Sequence, residues 1–317
     1  MTGVRLIALV PVLLALAALA AACGGGDEEE GPILSPITAE YAPVVISSDI
    51  AVGPNRFVVG LVDADNEPVA GAELHFRFLA FDGSEQKLKF ESDPTPVTIE
   101  KSYTHTHEDG TVESHGAGEL GVYVANVEFD AAGRWALEVS GRVEGADIEP
   151  QTTVFDVREE SLSPNIGDPA PLSVQPILSD VEDISEIDTS DPPNPAMHQI
   201  TIADAVQSGK PTVIVFATPA FCVSRVCGPT KGVVDDLFEE YGDSANFIHV
   251  EPYDLEKARS GEGLVVLPFI VDEWGLQSEP WVFIVDADGK IAGKYEGVVT
   301  LEEMEAALEQ LVAVTGR

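Results

Sequence analysis

Between residues 44 and 157 the apolar positions come in short runs with the rhythm of strands. "RFVVGLVDADNEPVAGAELHFRFLAF" carries two such runs around the turn-rich "DADNEPVAGA". "GVYVANVEFDAAGRWALEVSGRV" carries a second pair around "DAAG". Within it Val122, Val124, Val127 and Phe129 alternate imperfectly with polar or small positions. Several short strands, each bounded by turn residues, predict a β-sandwich.

Downstream the rhythm changes. Residues 157–199 are rich in Pro, Ser and Asp and read as a linker that becomes the lead-in to a second domain. "TVIVFA" (212–217) is a β-branched apolar run of the kind buried on both faces of a parallel sheet. In "GPTKGVVDDLFEEY" the residues Val233, Leu237 and Tyr241 recur every four positions, which predicts a helix. "NFIHVE" predicts a strand, and "PWVFIVDADGKIAGKYEG" a hairpin turning at "DADG". "TLEEMEAALEQLV" opens on the capping-box pair Thr300 and Glu303. Leu301, Met304, Leu308 and Leu311 then share one helical face. No internal repeat is present.

A chain of 317 residues with 44% apolar content can form two cores. Its formal charge of −38 repels nucleic-acid phosphates, and no basic patch compensates. The same charge disfavours adsorption of the protein's body to anionic lipid. A solvated acidic surface, suited to a saline or extracellular setting, accounts for it.

The chain begins "MTGVRLIALVPVLLALAALAAAC", one basic residue and a long apolar run ending in small residues before Cys23. "AAAC" resembles the lipobox of bacterial lipoproteins, with Ala20 where the family usually has Leu. The resemblance implies a signal peptide over residues 1–23, acylation of Cys23 as the mature N-terminus, and an acidic tether over residues 24–42 that includes "GGGDEEE". An ordinary secretory signal cut at the same alanines would leave Cys23 incidental. Either way an oxidising compartment is expected. Of the three cysteines, Cys222 and Cys227 then remain as one close pair.

Residues 43–158, with "LVDADNEPVAGAELHF" and "VEFDAAGRWALEV", resemble the immunoglobulin-like modules of bacterial surface proteins. After the linker and lead-in of residues 159–199, residues 200–317 resemble the thioredoxin superfamily. That likeness rests on a dithiol after the first strong strand, on "GDPAP" in the lead-in, and on "WGLQSEPWVFIVDADGKIAGKYEG". The expected fold class is thus multidomain: an N-terminal all-β immunoglobulin-like sandwich plus a C-terminal α/β thioredoxin-like fold. The resemblance places Pro280 at the family's cis-proline beside the dithiol, and Pro229 at a kink in the dithiol helix.

A cysteine entering a helix N-terminus meets unpaired backbone N–H groups that favour thiolate over thiol. Cys222 is therefore the candidate nucleophile and Cys227 the resolving thiol. Arg225 adds nearby positive charge. Glu279, before Pro280, adds an opposing anion that raises the thiol pKa. The family separates its cysteines by two residues; here "VSRV" makes four. On an unbroken helix this separation rises about 7.5 Å, beyond the roughly 4.4–6.8 Å Cα spacing of a disulfide. Either Cys222 lies in the loop before the first turn, or the helix must unwind.

Three other readings stay open. Q-type peroxiredoxins also place two cysteines four residues apart, but their Pro-x-x-x-Thr-x-x-Cys pattern meets Val215 and Pro219 here. Sco-type copper-delivery proteins add a histidine before the last hairpin, and "DEWGLQSEP" has none. A static disulfide on a binding module is the third. His105, His107 and His115, in "YTHTHEDGTVESHGAG", form a weak candidate for Zn(II) or Cu(II) if "EDGT" turns a hairpin. His249 reads as a core or strand-end histidine; His75 and His198 carry no motif.

The leading expectation is a thiol–disulfide oxidoreductase, lipid-anchored to the cell membrane on its extracytoplasmic side. It would act on protein thiols or disulfides, with no cofactor and no nucleic acid. The alternative is a non-catalytic surface binding protein.

Overall fold

Strands, numbered in chain order, dominate the first half of the chain in the computed structural model, which describes residues 40–99, 103–106, 112–115, 120–222 and 226–315. One four-stranded sheet runs β1 (Tyr41–Val45), β2 (Gly53–Asp63), β8 (Gly121–Phe129), β5 (Thr95–Thr98). A second runs β10 (Ala146–Val157), β9 (Gly133–Val143), β3 (Glu73–Asp82), β4 (Glu85–Ser92). Their ladders are antiparallel. A separate hairpin pairs β6 (Tyr103–Thr106) with β7 (Val112–His115).

The two turn-rich segments do not close hairpins. Each carries the chain from one sheet to the other, β2 to β3 and β8 to β9. Crossing lets the period-two faces meet across a shared core. Phe57, Val59 and Leu61 of β2 thereby pack in one cluster with Leu74, Phe76 and Phe78 of β3. The Tyr123 hydroxyl ties down the first crossing, accepting from the Ala72 amide at 3.0 Å and donating to the Val69 carbonyl at 2.7 Å. The broken alternation of β8 also has a cause. Tyr123, Ala125, Val127 and Phe129 join the shared core, whereas Val122 and Val124 join a cluster on the other side. A strand buried on both faces has no polar face to show.

The second half forms a mixed sheet in the order β12 (Asn246–Val250), β11 (Thr212–Phe216), β13 (Trp281–Val285), β14 (Ile291–Glu296). β11 runs parallel to β12 and antiparallel to β13, and β13–β14 is the hairpin. Helices cover both faces, which is why β11 and β13 read as unbroken apolar runs. On one face Ile214, Phe216 and Phe283 pack with Ile202 of α1 (Ile202–Val206) and Ile270 of α4 (Pro268–Asp272). On the other, Val213, Val215 and Ile284 pack with Val234 of α2 (Cys227–Tyr241) and with Met304 and Leu308 of α5 (Leu301–Thr315). The short α3 (Leu255–Ser260) follows β12. The whole is a mixed α/β protein with several sheets. Among the described residues no helix is long and apolar enough to cross a membrane.

Two local expectations change. Pro229 sits in the first turn of α2. There its missing N–H had no intrahelical partner to lose, so it demands no kink. The capping box at α5 is half made. The Glu303 amide donates to Thr300 Oγ1 at 3.1 Å, but the Glu303 carboxylate receives Arg56 instead.

That diversion belongs to a polar seam between the first sheet and the second half of the chain. Arg56 donates to both Glu303 oxygens at 2.7 and 2.9 Å, and to the carbonyls of Glu296 and Val298 at 3.1 and 2.7 Å. The Ser48 amide donates to both oxygens of Glu296. Asp49 accepts from the amides of Leu162 and Ser163 and from Lys294 at 2.9, 3.0 and 3.1 Å. Residues 159–199 are held in place here and further on: Ser163, Ser173, Gln175, Asp188, Met197 and His198 are all buried. Burial opposes ionisation of Asp49, but the hydrogen bonds from Ser161, Ser163 and Leu162, together with Lys294, outweigh it and lower its pKa to about 2. A depressed carboxyl pKa stabilises the fold above the unfolded value of 3.8, and that stability is lost as pH falls through about 2. The difference is worth about 2 kcal/mol. In urea unfolding, the gap between the parent and Asp49→Asn is expected to narrow by about that amount from pH ~6 to pH ~2. A gap independent of pH would contradict the assignment.

Candidate functional site

The chain leaves β11 at Phe216 and reaches Cys222 through a tight loop, in which the Phe221 amide donates to the Thr218 carbonyl at 3.3 Å. Helix α2 starts at Cys227. Cys222 therefore lies in the loop before the first turn, the first of the two alternatives that the long spacing left open. Val226, at the N-cap position, supplies no capping side chain. Cys222 Sγ takes that place, accepting from the Cys227 amide at 3.2 Å. A donor at the positive end of a helix favours a charged sulfur over a neutral one.

Both cysteines are buried, Cys222 with 8% of its surface exposed and Cys227 with none. Their sulfurs lie within 4.8 Å of each other and of a Glu279 carboxylate oxygen. The positions accommodate the pair as two thiols or as a disulfide. The Glu279–Pro280 peptide is cis, and the Pro280 carbonyl accepts from the Gly297 amide at 2.9 Å. Glu279 Oε2 accepts from the Tyr253 hydroxyl at 2.6 Å. Burial, reinforced by the Glu279 charge, pushes the Tyr253 pKa well above its usual value, so Tyr253 remains a donor. Val226 packs in a cluster with Val58, Val97, Ile99, Val122, Val124 and Val298, so the outer face of the first sheet lies against the dithiol loop.

Arg225, Cys23 and His107 fall outside the described residues. The β6–β7 hairpin pairs His105 with Glu113 and Tyr103 with His115. His105 and His115 thus hold diagonal positions on one face.

A second polar group went unread in the sequence. Asp188 lies 3.0 Å from His198 Nε2 and 3.4 Å from His249 Nδ1. All three residues are buried. Burial disfavours the Asp188 charge, but the hydrogen bond with His198 and the nearness of the His249 ring outweigh it and hold the carboxyl well below its usual range. Burial pushes the His198 pKa down against the pull of Asp188. Glu251, two residues beyond His249, is pushed up by burial and accepts from the Thr189 hydroxyl at 2.6 Å. Thr189 also accepts from the Ala220 amide in the dithiol loop at 3.1 Å. The available signal was "HVE": residues two apart on a strand share a face.

No protein-family model matches the chain, and no curated protein matches it significantly.

Proposed function

We propose that the protein is a thiol–disulfide oxidoreductase acting through Cys222 and Cys227, on a thioredoxin-like scaffold joined to an immunoglobulin-like sandwich. We further propose that Cys23 carries a lipid anchor, so that the dithiol works on the extracytoplasmic side of the membrane on protein thiols or disulfides. The observation that supports this best is the Cys227 N–H donated to Cys222 Sγ at the start of α2. As reductant, the Cys222 thiolate attacks a substrate sulfur and expels the other as thiolate, forming a mixed disulfide. The Cys227 thiolate then attacks Cys222, closing the internal disulfide and releasing the second substrate thiolate. Two electrons pass to the substrate, and the reverse sequence oxidises it. Cys227 must lose its proton in the second step, and the Glu279 carboxylate stands within reach of both sulfurs.

Burial of both sulfurs favours a second reading, a static bridge within a binding module. Copper delivery gains less support, since among the described residues a hard carboxylate and not a histidine completes the group at the sulfurs.

Alkylation rate against pH separates the two leading readings. Cys222 is expected to react ahead of Cys227 and with the lower pKa. Glu279→Ala removes the opposing anion, so the Cys222 pKa falls and alkylation near neutral pH quickens. Equal rates for the two thiols, unchanged in Glu279→Ala, would favour the static bridge.

A further inference from the structure

We propose that Asp188, His198 and His249 bind a divalent transition-metal cation, Zn(II) foremost, at a site separate from the dithiol.

The case starts at one imidazole. His249 Nε2 lies 3.0 Å from the Ala217 carbonyl. A carbonyl only accepts, so Nε2 carries the proton. In the neutral ring Nδ1 is then a bare lone pair. It is buried, has no hydrogen-bond partner, and lies 3.4 Å from Asp188 Oδ1, another acceptor. Two lone pairs facing each other call for a positive charge between them. Bonds of about 2.0 Å in a tetrahedron set ligand atoms roughly 3.3 Å apart, which is the gap observed.

The third ligand is already in position. One ligating atom from each of Asp188, His198 and His249 lies within 4.8 Å of the others. His198 Nε2 is 3.0 Å from Asp188 Oδ2, and the two rings stand 5.3 Å apart. Outer contacts fix these groups as a metal site requires. The Ser190 and Asn194 amides donate to the Asp188 oxygens at 2.8 and 3.2 Å, and the Ala217 carbonyl sets the His249 tautomer. The buried cation Lys231 is neutralised by Asp235 at 2.7 Å.

A fourth position is open. His198, His249 and Glu251 line a cleft of about 650 Å³. Glu251 Oε2, just past the end of β12, is buried and without a hydrogen-bond partner. Two imidazoles and a carboxylate suit Zn(II), Fe(II), Ni(II) or Cu(II) better than Mg(II) or Ca(II). Three protein ligands with an open fourth position describe a site that exchanges water or a small oxygen ligand.

The test uses the full chain carrying Cys23→Ser, Cys222→Ser and Cys227→Ser, stripped with chelator, so that no thiolate competes. Calorimetry with Zn²⁺ is compared between this chain and the same chain with His249→Gln, whose amide can still donate to Ala217. Both retain the hairpin histidines, so any binding by His105, His107 and His115 cancels. The expected result is one saturable equivalent, weakened at least about 100-fold by His249→Gln with an unchanged circular dichroism spectrum. Absence of that equivalent, or equal affinity in a folded His249→Gln chain, would overturn the site and leave His249 a protonated partner of Asp188. Should His249→Gln fail to fold, Co²⁺ absorption of the parent decides. Strong visible d–d bands without a thiolate charge-transfer band support the site, and the weak spectrum of six-coordinate Co²⁺ overturns it.

Discussion

Cys227→Ser protein, mixed with a disulfide-bonded substrate, is expected to hold that substrate covalently through Cys222. The Cys222 sulfur takes the Cys227 N–H at 3.2 Å, and serine at 227 leaves this backbone donor in place. Attack therefore proceeds, but resolution has no thiol to supply. Cys222→Ser removes the nucleophile and is expected to trap nothing. Its exchange rate should fall by on the order of 10³-fold or more, since a nucleophile acts as part of a unit. Non-reducing electrophoresis and intact mass distinguish the adducts. Trapping by neither variant would favour the static bridge; trapping through Cys227 instead would reverse the assigned roles.

The largest stability change is expected from Arg56→Ala. The guanidinium is nearly buried and donates four hydrogen bonds across the seam, two to Glu303 and two to backbone carbonyls. Removing it leaves the Glu303 carboxylate, on a side chain 28% exposed, without its cation, together with two carbonyls. Breaking a buried pair from one side costs about 3 kcal/mol or more. Arg56→Lys should recover only part, because an ammonium cannot reproduce the planar fork. Urea unfolding measures both. A loss under about 0.5 kcal/mol would mean that the pair behaves as an exposed salt bridge.

How legible these features were depends on range along the chain. β11, β12, the β13–β14 hairpin, α2 and α5 could be read because each has a local period and local stop signals. The turns at residues 63–72 and 130–133 were visible, but their destination was not, because period-two alternation fits a hairpin and a crossing equally well. The site divides in the same way. Cys222, Cys227, Pro280 and Glu279 lie in two short motifs and could be named in advance. That Cys222 would cap α2 depended on where the helix begins, and Val226 offers no capping side chain to mark the start. Asp188, His198 and His249 are brought together by loop packing against β12, across as many as 61 positions of sequence. Neither Arg56 nor Glu303 revealed its partner, and Glu303 was read through its local helix role alone.

The central claim is that the dithiol exchanges electrons with a partner, and its reduction potential tests that most directly. Equilibrating the pair with glutathione or dithiothreitol buffers and counting alkylated thiols gives the value. A redox-active pair is expected between about −120 and −270 mV, the range spanned by known exchange dithiols. A potential below about −300 mV would instead mark a structural disulfide resistant to cellular thiols, and would contradict the proposed activity.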